Sequence, residues 1–189
     1  MSREIRIHGR GGQGAVLASS ILAQAFVDEG KYVVAIPSFG FERRGAPVSA
    51  CLRVDDRDIR ALTNIYRPDC VICIDPTLPR MVDIFAGLKP GGTLVQASSL
   101  RPDAIARPAT VATFGLCDAV GIALEIFGKP ITNSIMLGAF ARSTGLVSLD
   151  SLMDALERAD FRDAGLAQNR RAMQRGYAET EVLAPEAVA

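Results

Sequence analysis

The first residues whose types and spacing suit chemistry are Gly9-Arg10-Gly11-Gly12-Gln13-Gly14. Gly9, Gly11 and Gly14 fit G-x-G-x-x-G, with a short apolar strand (Ile5 to His8) before them and an Ala- and Leu-rich helical stretch (Ala15 to Glu29) after. Glycines so placed let the backbone turn tightly and come close to a phosphate, while the helix start offers free N–H groups and the positive end of its dipole. The loop predicts a phosphate or pyrophosphate cradle, against the plainer reading of a tight strand-to-helix turn. An NAD site would need an acidic residue at the end of the second strand, about 20 residues on. Here that strand ends Ile36-Pro37-Ser38, and Glu42 is displaced into the loop beyond. Ordinary P-loop ATP chemistry is excluded because no G-K-[ST] follows the glycines.

The second informative stretch is Ser38-Phe39-Gly40-Phe41-Glu42-Arg43-Arg44-Gly45-Ala46-Pro47. It leaves a strand at the edge where α/β sheets bind ligands. Arg43 and Arg44 beside a glutamate suit recognition of an anion or a polar interface. A solvated charged loop would not carry Phe39 and Phe41, which are poorly placed in water.

Other reactive residues are read as structural. His8 is the only histidine and must serve everything, so there is no Ser-His-Asp or Cys-His arrangement to argue for a hydrolase; beside the glycine loop it is read as a packed or hydrogen-bonded strand-end histidine, against the alternative of orienting a ligand. Cys70 and Cys73 have a C-x-x-C spacing, but positions three apart on a strand point to opposite faces. With no second pair nearby, they do not form the compact pattern an iron–sulfur cluster needs. Asp55, Asp56 and Asp75 read as turn and strand-end residues, and no clustered carboxylates suggest a metal.

These residues must be positioned by a frame, and the pattern predicts one α/β domain over 1–189. Its expected form is a largely parallel sheet flanked by helices, with a Rossmann-like start and a helical C-terminal part. The strand–helix–strand order at the N-terminus predicts a βαβ crossover with the first two strands paired in parallel. Val48 to Val54 alternates like a half-buried strand, and the continuous apolar run Cys70 to Ile74 suits an interior parallel strand. Further strands are expected at Thr93 to Gln96 and Val111 to Phe114. Helices are expected at Asp118 to Phe127, Ser134 to Thr144 and around Leu149 to Leu156, the last capped by Ser148. A polar, basic stretch, Gln168 to Tyr177, within a C-terminal segment of about 165–189, is expected on the surface or against a partner.

Charge is balanced at 21 basic and 21 acidic residues, which argues against nucleic acid or a membrane surface as partner. No run approaches the ~18 apolar residues of a membrane helix, and the charged Met1 to Arg6 predicts no secretory leader. Four cysteines in apolar surroundings predict reduced thiols and a cytoplasmic location.

With Asp75-Pro76-Thr77, Asn133-Ser134-Ile135-Met136-Leu137-Gly138-Ala139 and Arg175-Gly176-Tyr177, the two loops resemble, in order along nearly the whole chain, the gamma subunit of pyruvate:ferredoxin oxidoreductase and related 2-oxoacid:acceptor oxidoreductases. The second motif is closer to the pyruvate-type branch than to the indolepyruvate branch, where a His-Gly and Gln-Arg-Gly-Gly pattern is more usual. Phe41 departs from the proline of many pyruvate-type members, and a bulkier loop could reflect another 2-oxo acid, such as phenylglyoxylate or a branched-chain acid. The resemblance implies an enzyme in which a 2-oxo acid is decarboxylated on thiamine diphosphate, electrons leave through iron–sulfur clusters, and the acyl group passes to coenzyme A. It also implies that thiamine diphosphate, Mg and the clusters reside on other subunits. This chain would pack against thiamine-binding alpha/beta-type subunits and an iron–sulfur subunit, inactive alone. Coenzyme A contacts are expected at Gly9, Gly11, Gly12, Gln13, Gly14, Ser38, Arg43, Arg44 and Asn133, with no residue assigned a certain catalytic role. The rivals are a free-standing NAD(P)-binding dehydrogenase, disfavoured by the missing acid after the second strand, and a non-enzymatic nucleotide-binding regulator.

Overall fold

The computed structural model describes residues 2–38, 45–159 and 165–184. Phe39, Gly40, Phe41, Glu42, Arg43 and Arg44 lie outside the described residues.

A seven-stranded sheet has the order β2-β3-β1-β4-β5-β6-β7. At its centre β1 (Arg3–Arg10), β4 (Cys70–Cys73), β5 (Gly92–Ala97) and β6 (Val111–Cys117) are successive parallel neighbours. The continuous apolar run forecast β4, because a parallel interior strand is buried on both faces. β3 (Pro47–Asp55) runs antiparallel between β1 and β2 (Tyr32–Ser38), and β7 (Glu181–Leu183) runs antiparallel on the far edge. The expected pairing of the first two strands is therefore corrected. β1 and β2 point the same way, joined by α1 (Ala15–Asp28), but β3 returns between them, in register from Arg3 opposite Val54 to Arg10 opposite Pro47. Crossover connectivity sets direction, whereas the neighbour is decided by which later segment completes the ladder.

α1 shares one continuous apolar core with α2 (Ala119–Phe127), α3 (Asn133–Thr144), α4 (Leu149–Glu157) and α5 (Leu166–Glu179). A smaller core on the other sheet face joins Val71, Cys73, Leu94, Phe114 and Leu116 to Leu78, Ile84 and Ile105 from the connecting segments. Cys70 enters the helical core and Cys73 the smaller one, as the strand period predicts. β3 is more buried than its alternation suggested, since Cys51 and Arg53 are covered as well as Leu52 and Val54. The Arg53 guanidinium explains this: it donates to the Glu4 carboxylate at 2.9 Å and to the carbonyls of Ala61 and Thr63, pinning that segment against the strand.

Helix ends follow the local signals. Asp118 accepts from the Gly121 N–H at 3.0 Å, and Ser148 accepts from the Ser151 N–H at 3.0 Å. The C-terminal part is helical with an exposed face, as expected of a surface stretch, but the inner face of α5 packs on the chain's own helices and a strand follows it. Asn169, Ala172, Met173 and Gly176 form a buried stripe at helical spacing. α5 lies against α3 with the two backbones in contact. A Cβ added to Gly138 would stand 2.1 Å from the Met173 carbonyl oxygen, and one added to Gly176 would stand 2.0 Å from that of Ile135. The polar residues of α5 occupy its outer side, where Arg175 bonds Glu179 at 2.6 Å and also pairs with Glu125.

Because the clash partners are backbone atoms, Gly176→Ala must push the helices apart. Overpacking of this kind costs about 1–3 kcal/mol or more, a fall in melting temperature of roughly 2–12 °C at this chain length. Thermal unfolding of the full chain checks this; a variant as stable as the parent would show that the backbones do not touch.

Candidate functional site

The carboxyl ends of β1 and β4 meet the starts of α1 and α3. After β1, Gly12 has φ 90° and Gly14 φ 78°, a left-handed backbone that L side chains rarely adopt. Gly9 is needed for another reason: a Cβ there would lie 2.8 Å from Ile74 Cδ1 and 3.2 Å from Ala15 Cβ. The Gly11 N–H donates to Ala46 O at 2.8 Å, and the Gly45 N–H donates to Gly11 O at 3.0 Å. The glycine loop is thereby tied to the residues that close the arginine-bearing segment.

Gly14 is the N-cap of α1 and has no side chain to accept a bond, so the first-turn N–H groups of α1 have no intrahelical or side-chain-cap acceptor. At the start of α3 the Thr132 hydroxyl donates to Ile74 O at 2.8 Å instead of capping its own helix. Asn133, only 5% exposed, lies directly over Gly14, where an added Cβ would be 2.5 Å from its Nδ2. Its Oδ1 accepts from the Ser134 N–H at 3.0 Å, which leaves the amide nitrogen as the polar end toward the loop. The positive ends of two helices thus converge on one glycine. By contrast, α2 and α4 are capped by their own side chains.

Beneath the loop sits Asp75, 6% exposed. Its Oδ2 accepts from Arg10 Nε at 2.9 Å and from Gln13 Nε2 at 2.6 Å. Its Oδ1 accepts from the Thr77 N–H at 2.7 Å and the Thr77 hydroxyl at 2.5 Å. Burial pushes its pKa up, but the bonds from Thr77 and Gln13, with the Arg10 charge, more than offset that and hold it below the usual carboxylate range. Arg10 also reaches Gly45 O at 3.1 Å and Thr77 Oγ1 at 2.5 Å. Sequence reasoning took Asp75 for a strand-end residue and missed this hub. The available signal was Asp-Pro-Thr, whose carboxylate folds back on the N–H two residues later.

The structure brings together Gly9, Gly11, Gly12, Gln13, Gly14 and Asn133. Gln13 turns inward: its Oε1 accepts from the Arg10 N–H at 2.8 Å while its Nε2 serves Asp75. Ser38 is not beside the loop. It ends β2, opposite Ser49 of β3, which is itself opposite His8 of β1, so it stands two strand spacings, about 10 Å, from the glycine strand. Arg43 and Arg44 fall outside the described residues, although Gly45, next in the chain, is held at the loop. His8 is a packed histidine whose Nε2 accepts from Arg6 Nε at 2.9 Å. Among the described residues no group of three or more His, Cys, Asp or Glu side chains could hold a metal ion, and no helix is long and apolar enough to cross a membrane.

The family model described as "Pyruvate ferredoxin/flavodoxin oxidoreductase" matches residues 4–179, and the chain belongs to that family. The gamma subunit of an NADH-dependent phenylglyoxylate dehydrogenase from Aromatoleum evansii is 66% identical over 179 residues, covering 95% of this chain and 94% of the relative. The common gamma subunit of the pyruvate/ketoisovalerate oxidoreductases of Thermococcus kodakarensis is 48% identical, covering 95% and 97%. Among solved structures, the pyruvate oxidoreductase subunit PORC of Thermotoga maritima superposes with a TM-score of 0.79 at 35% identity, covering 96% of this chain and 98% of that one.

His8 gives a pH test. Burial, then the neighbouring Arg6 charge, lower its pKa from 6.5 to about 4. A depressed folded value means that the unfolded chain takes up the proton first, so this contribution to stability is complete above pH 6.5 and is lost as pH falls toward 4. His8→Gln is expected to flatten the stability profile across that window in denaturant unfolding at several pH values. An imidazole that titrates near 6.5 by NMR would contradict the buried placement.

Proposed function

We propose that the chain is the gamma subunit of a multi-subunit, pyruvate-type 2-oxoacid:acceptor oxidoreductase, and that its glycine loop helps bind coenzyme A where this subunit meets the thiamine-bearing chains. The observation that carries the second half is the meeting of the α1 and α3 N-termini at Gly14 and Asn133. Coenzyme A carries phosphate groups, and open first-turn N–H groups with aligned helix dipoles are the backbone's own anion site. In this proposal Gly12, Gly14 and the first turn of α1 donate to the phosphates, Asn133 Nδ2 adds a side-chain donor, and Arg43 and Arg44 add charge-assisted bonds. Ser38, from the next strand but one, extends the same edge.

Thiamine diphosphate with Mg, which supplies the decarboxylation chemistry when bound, and the iron–sulfur clusters are assigned to the other subunits. The role left to this chain is to bind and orient the acyl acceptor. Four buried thiols without a disulfide partner suit a reducing compartment, and we place the complex in the cytoplasm. A second reading keeps this role but changes the acid: phenylglyoxylate is favoured by the 66% identity to the phenylglyoxylate dehydrogenase gamma subunit, against 48% to the pyruvate/ketoisovalerate one.

Steady-state kinetics of the assembled complex test both points. Turnover on pyruvate, phenylglyoxylate and a branched-chain 2-oxo acid identifies the substrate, and absence of turnover on all three would defeat the proposal. Gly14→Ala places a methyl group against Asn133 in a strained backbone. Losing one charge-assisted bond to a phosphate costs about 1.5–3 kcal/mol, so the KM for coenzyme A is expected to rise roughly tenfold or more. The KM for the 2-oxo acid should stay near the parent's. An equal rise in both would place the loop's role elsewhere.

A further inference from the structure

We infer that Asp75 is a positioning residue for coenzyme A binding: from just beyond the end of β4 it holds the glycine loop in its ligand-facing shape and fixes Gly45 beside it. The inference rests on the proposed role of the loop. Asp75 makes no claim on the ligand itself, because both its oxygens are spent on protein donors. One oxygen takes Arg10 Nε and Gln13 Nε2, and the other takes the N–H and hydroxyl of Thr77. Its side chain is 8% exposed, against 21% for that of Arg10.

The partners show what the carboxylate controls. Arg10 and Gln13 stand at the two ends of the turn that contains Gly11 and Gly12. They are also bonded to each other, through the Arg10 N–H to Gln13 Oε1 and the Gln13 N–H to Arg10 O at 3.0 Å. Holding both from below closes the turn. Arg10, clamped by Asp75, carries the constraint to Gly45 O, and Gly45 and Ala46 in turn exchange two backbone bonds with Gly11. The Gly11 N–H is consumed by Ala46, which directs the loop's offered donors to Gly12 and beyond.

An amide cannot replace the carboxylate. In Asp75→Asn one oxygen becomes an NH2 facing existing donors, either Arg10 and Gln13 or Thr77, so bonds are lost on one side whichever way it turns. Hydrogen exchange of the full chain reads the loop directly, and kinetics of the assembled complex read the consequence. Asp75→Asn is expected to speed exchange in peptides containing Gly11 and Gly45 at least tenfold, while the peptide containing Ala172 and Met173 keeps the parent rate. It should also raise the KM for coenzyme A about fivefold or more, with kcat and the KM for the 2-oxo acid within about twofold of the parent. Parent-like exchange at Gly11 and Gly45 would overturn the positioning role. Faster exchange with an unchanged KM for coenzyme A would support that role and remove coenzyme A as the loop's ligand. If Asp75→Asn fails to fold, Gln13→Met removes one arm only: a smaller rise in exchange at Gly11 supports the inference, and parent-like exchange overturns it.

Discussion

Gly14 has no side chain, and Asn133 occupies the space one would fill, with its amide nitrogen 2.5 Å from where a Cβ would stand. That approach lets the first turn of α3 sit against the first turn of α1, with Thr132 bonded to the end of β4. From this start α3 runs through the centre of the helical layer, buried from Asn133 to Ala141. It holds α5 through the glycine contacts and, at Ser134, through a 2.7 Å bond to Asn169. The helix that helps form the site is therefore also the one on which the C-terminal part is built.

The charge arrangement follows a simple division. The acid at the site, Asp75, faces inward and is saturated by donors, while the outward groups are backbone N–H ends, an amide nitrogen and glycine peptides. His8, which could have added a titrating cation at the same strand end, is held neutral by burial and by Arg6. In the proposed role the attraction for an anion comes from fixed helix dipoles, which do not change across physiological pH. This suits a phosphate-bearing acceptor better than a proton-transfer role for this chain.

Much of the frame was legible because its causes are local. An apolar run marked β4, a glycine pair marked the start of β5, glycines marked the stops of α1, α2 and α3, and Ser148 marked the start of α4. What escaped depends on distant residues. β3 lies between β1 and β2 because its ladder with β1 is completed by residues about forty positions later, as in Arg10 opposite Pro47. The interior face of α5 consists of Asn169, Ala172, Met173 and Gly176; with one large apolar residue among the four it carries little hydrophobic signal, and its burial follows from the matching Gly138, Ser134 and Ile135 on α3. At the site, the glycine loop and Asn133 were found from motif and resemblance. Asp75 was passed over because Arg10 and Gln13 are 65 and 62 residues away in sequence.

The central claim is that the loop at the start of α1 receives the phosphates of coenzyme A. The most direct measurement is a structure of the assembled complex with coenzyme A bound. The account predicts a phosphate oxygen within hydrogen-bonding distance, about 3 Å, of one or more of the backbone nitrogens of Gly12, Gly14 and Ala15, with Asn133 Nδ2 at its side. Coenzyme A bound with its phosphates wholly on another subunit, and the Gly12, Gly14 and Ala15 nitrogens touching none of them, would contradict it.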